Sequence, residues 1–377
     1  MDCGEGLPKW AALLDKMRTR KPKYLEIVNW VQDRINKKEL KPGDKLYSEN
    51  ELSEMFHLSR QTVRHAIAVL EQQNFLTRIQ GSGTYISGTA LGASSGEKTM
   101  NIAVISTYVD SYIFPNIIKG IEKILSKEGY MVQIAFTNNK IERERDIIQN
   151  ILEKNNIDGL IVEATKSALP NPNLMFYEEI MKRNIPVVFF NSYYPSLPAP
   201  HVALNDKLMG KKVTQYLIQK GHKKIAAIFK ADDGQGHLRY AGYVEAMLEA
   251  DLKLNDINII WLDTEYVRDL KDEKKQILTR IEGCTAVFCY NDEIAFLLEE
   301  ICQREGIRIP EELSIIGIDN SELSELSEIP FTSISHPMEK LGTKVAKNLI
   351  EVIKDRNYDA NYEFDSEIVE RGSVKEI

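Results

Sequence analysis

The chain runs to 377 residues, too many for one average domain and enough for two or three. Hydrophobic residues at 43% and charged residues at 28% describe a globular protein that can build its cores without disulfide staples. The formal charge of −8 argues against a nucleic-acid protein until it is divided: residues 1–90 hold 14 Lys+Arg against 11 Asp+Glu, and the remainder hold 34 against 45.

Residues 1–20 show little pattern and are set aside as an N-terminal extension. They lack a basic stretch followed by an apolar one, and no apolar run of about 18 residues occurs anywhere, so neither a signal peptide nor a membrane span is expected. A cytoplasmic protein is the expectation. From residue 23 the spacing turns helical, with Tyr24, Ile27, Val28, Val31 and Ile35 on one face. Pro42 and Gly43 mark a turn. Ser48 and Glu51 match a capping box that opens a second helix, and a third starts near Ser59. Strand-like residues 75–79 and 84–87 flank Gly81 and Gly83, which predicts a hairpin. Residues 21–88 therefore form a small α+β domain, and the Gly/Ala/Ser-rich stretch 89–99 reads as a linker.

From residue 100 to 377 the pattern changes. Strand-like segments at 102–106, 132–136, 159–162, 187–190, 224–229, 257–261, 286–289 and 314–318 alternate with amphipathic segments such as 117–127, 142–153 and 207–219. Such alternation predicts an α/β fold with parallel sheets. Eight strands suit two doubly wound lobes, with a (β/α)8 barrel as the competing architecture.

In the third helix Val63, Ala66, Ile67 and Leu70 share one face, and Arg60, Gln61, Arg64 and His65 share the other. That is the layout of a recognition helix whose exposed side chains reach base edges or phosphates in a major groove. Ser59 and Thr62 lie at its N-terminus, where hydroxyls and backbone N–H groups favour a phosphate. A solvated polar face is the alternative for any such helix taken alone. Here Arg78, Gln80 and a glycine tip lie on the adjacent hairpin. The stretches 41–46 (KPGDKL), 48–52 (SENEL), 58–64 (LSRQTVR) and 80–86 (QGSGTYI) closely resemble the winged helix-turn-helix domain of the GntR family, with Tyr47 a departure where that family usually has Pro. The resemblance implies DNA contacts from Ser59, Arg60, Gln61, Thr62, Arg64, Gln80 and Gly81.

Ligands of doubly wound folds bind beyond the carboxyl ends of the strands. The residues following the predicted strands include Tyr112, Glu163, Lys166, Asn191, Arg239, Asn291, Asp319 and His336. Carboxylates, amides and guanidinium can each hold two sugar hydroxyls. Capping of the next helix is the structural alternative, above all for Asn291. Segments 114–122 (FPNIIKGIE), 157–162 (IDGLIV), 221–225 (GHKKI), 239–243 (RYAGY), 290–295 (YNDEIA), 315–320 (IIGIDN) and 331–337 (FTSISHP) resemble the effector domain of LacI-type regulators and periplasmic sugar-binding proteins. That resemblance places Arg239, Asn291, Asp319 and His336 at the effector site. The joining of a GntR-like head to such a sensor, with 162–169 (VEATKSAL) and 229–233 (FKADD), resembles the arabinose repressors of Gram-positive bacteria. It implies a homodimer that binds double-stranded operator DNA and lets go on binding L-arabinose. A regulator for another sugar, or a sugar receptor without regulatory DNA binding, is the alternative.

Enzyme motifs are poorly supported. The GxSxG match at 92–96 lies in the linker and not between a strand and a helix. The glycines at 234 and 236 lack the third of a dinucleotide fingerprint, since position 239 is Arg. Cys3, Cys284, Cys289 and Cys302 form no CxxC pair, the six His show no ligand spacing, and three of the cysteines read as core thiols. No catalysis, metal or cofactor is expected.

Overall fold

The structure is a computed structural model that describes residues 22–37, 39–72, 75–79, 81–87, 98–109, 112–268 and 274–377. The N-terminal extension, most of the predicted linker and Gln80 lie outside the described residues. The chain divides into two compact units, 1–98 and 99–377.

In the first unit α1 (Tyr24–Asn36), α2 (Glu49–Phe56) and α3 (Arg60–Gln72) precede a hairpin of β1 (Leu76–Ile79) and β2 (Gly83–Ile86). Ile27, Val31, Ile35, Leu52, Val63, Ala66, Ile67 and Leu70 form its core with Leu76 and Ile86 of the hairpin. The expected capping box is present: Ser48 Oγ accepts from Glu51 N, and Glu51 accepts from Ser48 N. His57, in the left-handed conformation at φ 53°, ends α2 and turns the chain into α3. Tyr47 packs near Trp30, with ring centroids 6.0 Å apart.

The second unit has two lobes. In the first, β3 (Asn101–Ser106), β4 (Met131–Phe136), β5 (Gly159–Val162), β6 (Val187–Phe190), β7 (His201–Leu204) and β13 (Tyr362–Phe364) form a parallel sheet ordered β13-β7-β6-β5-β3-β4. In the second, β8 (Ile225–Lys230), β9 (Ile259–Leu262), β10 (Ala286–Cys289), β11 (Ser314–Asp319), β12 (Thr332–Ser335) and β14 (Ile368–Val369) are ordered β14-β12-β11-β10-β8-β9. All pairs there are parallel except the antiparallel edge β12–β14. Two open sheets exclude the single closed barrel.

The chain passes between the lobes after β7, after β12 and again after β13. Helix α7 (Asp206–Gln219) consequently packs on the second lobe, and α13 (Met338–Lys354) on the first. Close helix pairs need glycine. A Cβ on Gly210 of α7 would lie 2.1 Å from the carbonyl of Arg239 on α8 (Gly234–Glu249). Likewise a Cβ on Gly342 of α13 would meet the carbonyl of Ile117 on α4 (Phe114–Lys127) at 2.0 Å. Both distances are shorter than packed carbon and oxygen allow.

The predicted strands stand within two residues of those observed. The largest slip is at 257–261, because Asn255 accepts from Ile257 N and sets a short 3-10 turn at Asp256–Asn258 before β9. Cys289 and Cys302 are buried in the core of the second lobe, and Cys284 packs against it.

Candidate functional site

Helix α3, the expected recognition helix, is preceded by Ser59, whose Oγ accepts from Thr62 N at 3.2 Å and lies 2.8 Å from Thr62 Oγ1. The cap leaves Arg60, Gln61 and Arg64 exposed on one face, while Val63, Ala66 and Ile67 are buried on the other. Glu49, at the start of α2, accepts from Arg64 Nε at 2.7 Å and from Arg78 of the hairpin at 3.1 Å. One carboxylate thus aims two guanidinium groups from two elements. Gly81 has φ +80° with open space around it, a backbone conformation that side chains resist. Six of the seven predicted DNA-contact residues are described and lie on this helix N-terminus or at the hairpin tip; Gln80 falls outside the described residues.

Between the two lobes of the second unit lies a cavity of about 510 Å³ lined by the ends of strands from both. Tyr112, Glu163, Asn191, Arg239, Asn291 and Asp319 line it. The same wall holds Thr107, Tyr108, Lys230, Asp233, Gln235 and Tyr290, which the site prediction leaves out although several directly follow strands. Their signal in the sequence is that position alone.

On the first lobe, Glu163 Oε2 accepts from Thr107 N at 2.8 Å and Thr107 Oγ1 at 2.5 Å, and its Oε1 accepts from Asn191 Nδ2 at 2.6 Å. Burial raises the Glu163 carboxyl above its ordinary range, against the pull of these donors. Asn191 Oδ1 accepts in turn from Gln235 Nε2 of the second lobe at 3.3 Å.

On the second lobe, Arg239 is 1% exposed and donates to Asp206 Oδ1 at 2.7 Å and to the carbonyl of Tyr290 at 2.5 Å. Burial alone would lower its pKa; the carboxylate of Asp206 outweighs that and holds the guanidinium charged. Lys230 donates to Asp233 at 2.7 Å, and Tyr290 OH donates to the same carboxylate at 3.2 Å.

Tyr112 spans the cavity. Its hydroxyl donates to Asp319 Oδ2 at 2.5 Å and accepts from Asp292 N at 3.2 Å. Burial pushes the Asp319 carboxyl up to about 7, opposed by Arg239 and reinforced by Asp292. Asp319 Oδ1 is buried with no hydrogen-bond partner among the described residues, an acceptor left free in a cavity wall. Tyr112, Asn191 and Asp319 have φ of 62°, 60° and 114°. Non-glycine residues rarely adopt such values, and they collect here at a ligand-sized cavity.

Three predicted residues behave differently. Asn291 lines the cavity but spends its side-chain oxygen capping the helix that follows, accepting from Ile294 N at 3.0 Å. Lys166 does not line the cavity; its ammonium is 3.0 Å from Glu265 and 3.5 Å from Asp232. His336 also stands back from it, packed behind Asn191 with Nε2 3.3 Å from Asn191 Oδ1. Burial, and then Arg239, push the His336 imidazole down to about 3, so it is neutral. The strand-end rule gives a side chain's height in the sheet and does not say whether it turns into the cavity or toward another partner, as Lys166 and His336 do.

Among the described residues no helix is long and apolar enough to cross a membrane, and no cluster of His, Cys, Asp and Glu could hold a metal ion.

Residues 23–86 match the bacterial regulatory proteins of the gntR family, and residues 214–374 match the periplasmic binding protein-like domain. Over 369 residues the chain is 35% identical to the arabinose metabolism transcriptional repressor of Geobacillus stearothermophilus, covering 94% of this chain and 98% of that one. It is 38% identical over 349 residues to the arabinose metabolism transcriptional repressor of Halalkalibacterium halodurans, covering 90% and 93%. Among solved structures, the transcription regulator CcpA of Lactococcus lactis superposes with a TM-score of 0.66 at 25% identity, over 73% of this chain and 99% of that one.

Proposed function

The chain belongs to the arabinose metabolism transcriptional repressors, in which a GntR-family head precedes a periplasmic-binding-protein-like sensor, and from that premise we propose that it binds operator DNA as a homodimer and is released when L-arabinose fills the cavity between its lobes. The observation that carries the ligand class is the charge of the wall. Both cations there, Lys230 and Arg239, are already neutralised by Asp233 and Asp206. Glu163 and the free oxygen of Asp319 remain as acceptors, and Tyr108 and Phe114 add aromatic rings to the lining. Such a wall accepts hydrogen bonds from a neutral polyhydroxyl ligand and repels a phosphorylated one.

The DNA reading rests on the exposed cationic face of α3 and on the basic head, so affinity falls steeply with salt. Two heads on one dimer match two half-sites. Supporting a dimer, Met131 on the edge strand β4 is 71% exposed, and Ile134 on β4 and Trp261 on the opposite lobe's edge strand β9 are exposed too. Unpartnered apolar edges of this kind invite a second copy. The regulator needs no cofactor and works in the cytoplasm; the sugar is the whole signal.

For release, the sugar must favour the form that does not hold DNA, with a coupling of about 1–3 kcal/mol. The test is a thermal melt and an operator gel shift of the full chain with L-arabinose, D-xylose, D-galactose and D-ribose. L-Arabinose alone is expected to raise the melting temperature and release the DNA. Equal responses to another sugar, or none, overturn the assignment of the effector while leaving DNA binding to be judged by the gel.

A further inference from the structure

We propose that Lys166 is a positioning residue for effector binding: its ammonium and the two residues after it clasp the lobes along one margin of the cavity and so set how long a ligand is held. The inference deepens the reading of this cavity as the arabinose site and rests on it.

Lys166 follows β5 in the first lobe, and its partners Asp232 and Glu265 belong to the second. Its side chain is 18% exposed and that of Asp232 is 3% exposed, so solvent screens the pair only partly. The contacts close a ring. Lys166 N donates to Asn139 Oδ1 at 2.9 Å, and Asn139 Nδ2 donates across the cleft to Thr264 Oγ1 at 2.6 Å. Thr264 N donates to Asp232 Oδ2 at 3.1 Å, and the same carboxylate oxygen faces the Lys166 ammonium at 3.5 Å. Beside the ring two backbone amides cross between the lobes: Gly234 N donates to Ser167 Oγ at 2.9 Å, and Ala168 N donates to the carbonyl of Asp232 at 3.2 Å. Asn139 and Lys166 hold φ of 54° and 45°, sparsely populated values that tertiary contacts must sustain.

Asn139 and Thr264 line the cavity while Lys166 stands outside it. A ligand enclosed by the lobes leaves when they part, and the contacts along this margin resist the parting. Because Lys166 itself stands outside the lining, its ion pairs act by raising the fraction of molecules in the closed arrangement, and apparent affinity follows that fraction. It also confers a salt dependence that a neutral sugar would not bring by itself.

The test compares wild type, Lys166→Met, Lys166→Arg and Glu265→Gln as full-length proteins. Amide hydrogen exchange is followed at Ala168 and Gly234 without sugar, and L-arabinose binding is measured at low and high salt. Lys166→Met is expected to speed exchange at both amides. It should weaken arabinose binding about 5-fold through faster release and remove the salt dependence. Lys166→Arg restores both, and Glu265→Gln, at an exposed carboxylate, moves both in the same direction by less, so a folding failure of the Met variant does not shield the proposal. Unchanged exchange in Lys166→Met and Glu265→Gln overturns the clasp. So does a loss of arabinose binding that Arg fails to restore while exchange is unchanged, since Lys166 would then be touching the ligand. If wild type does not bind L-arabinose, the effector reading fails and the exchange rates alone decide on the clasp.

Discussion

The two units carry their working residues in opposite ways. In the head, Arg60, Gln61 and Arg64 are exposed, Arg64 resting on Glu49, and the apolar core is built without them. In the sensor, Arg239, Asp319, Glu163 and Asn191 are buried, and each is held by others of the set or by their neighbours. A polyanion brings its own charge to an exposed face, so the head can keep its cations solvated until DNA arrives. A small neutral ligand offers only hydroxyls, so the sensor must hold its polar groups in place beforehand, inside the fold. Function and stability are therefore separable in the head and entangled in the sensor.

The sharpest way to break that contrast is Arg239→Ala. It leaves the buried carboxylate of Asp206 without its cation, and the sensor should lose about 3–5 kcal/mol of stability together with its response to sugar. Calorimetry of the full chain should show the sensor's melting moved down and the head's unmoved. A variant that melts normally yet no longer responds would mean that Arg239 serves the ligand alone. Next in size is Arg60→Ala, expected to weaken operator binding by about 1–3 kcal/mol with melting and sugar binding intact. A parallel loss of stability would show that the head is as entangled as the sensor.

The smallest effect is a pH profile. Asp319 has its carboxyl raised to about 7 in the fold. A raised carboxyl binds its proton more tightly folded than unfolded, so its contribution to stability is complete below the ordinary Asp range and fades as the pH climbs through about 7. The neutral His336 works the other way, its contribution being complete above the ordinary His range and lost toward acid. Comparing Asp319→Asn with wild type cancels the histidine. The variant should gain about 1–2 kcal/mol relative to wild type between about pH 5.5 and 7.5, read by urea unfolding. A constant difference across that window would place Asp319 in the ordinary range.

How much of this was legible beforehand differs between the units for the same physical reason. The head's motif is local: cap, recognition helix and glycine tip lie within residues 48–83, and helical periodicity alone sorts exposed Arg60 and Arg64 from buried Val63 and Ile67. The sensor's cavity gathers residues from 107 to 326, and no periodicity links them. The rule that ligands sit beyond strand ends brought six of the eight predicted residues to the cavity wall and could not tell that Lys166 and His336 lie behind it. Strand β7 escaped the sequence reading, and so did the edge strands β13 and β14, whose three and two residues are too few to show alternation.

What the sequence determined by itself was whatever depends on near neighbours: the capping box at Ser48, the two faces of α3, and the alternation of strand and helix from residue 101 onward. Tertiary structure alone decided which strand ends face each other across the lobes. It paired Arg239 with Asp206, 33 residues away, and Tyr112 with Asp319, 207 residues away. Those pairings follow from three passages of the chain between lobes, and a passage is set by which helix each sheet can bury, which is a property of the whole core and of no single stretch.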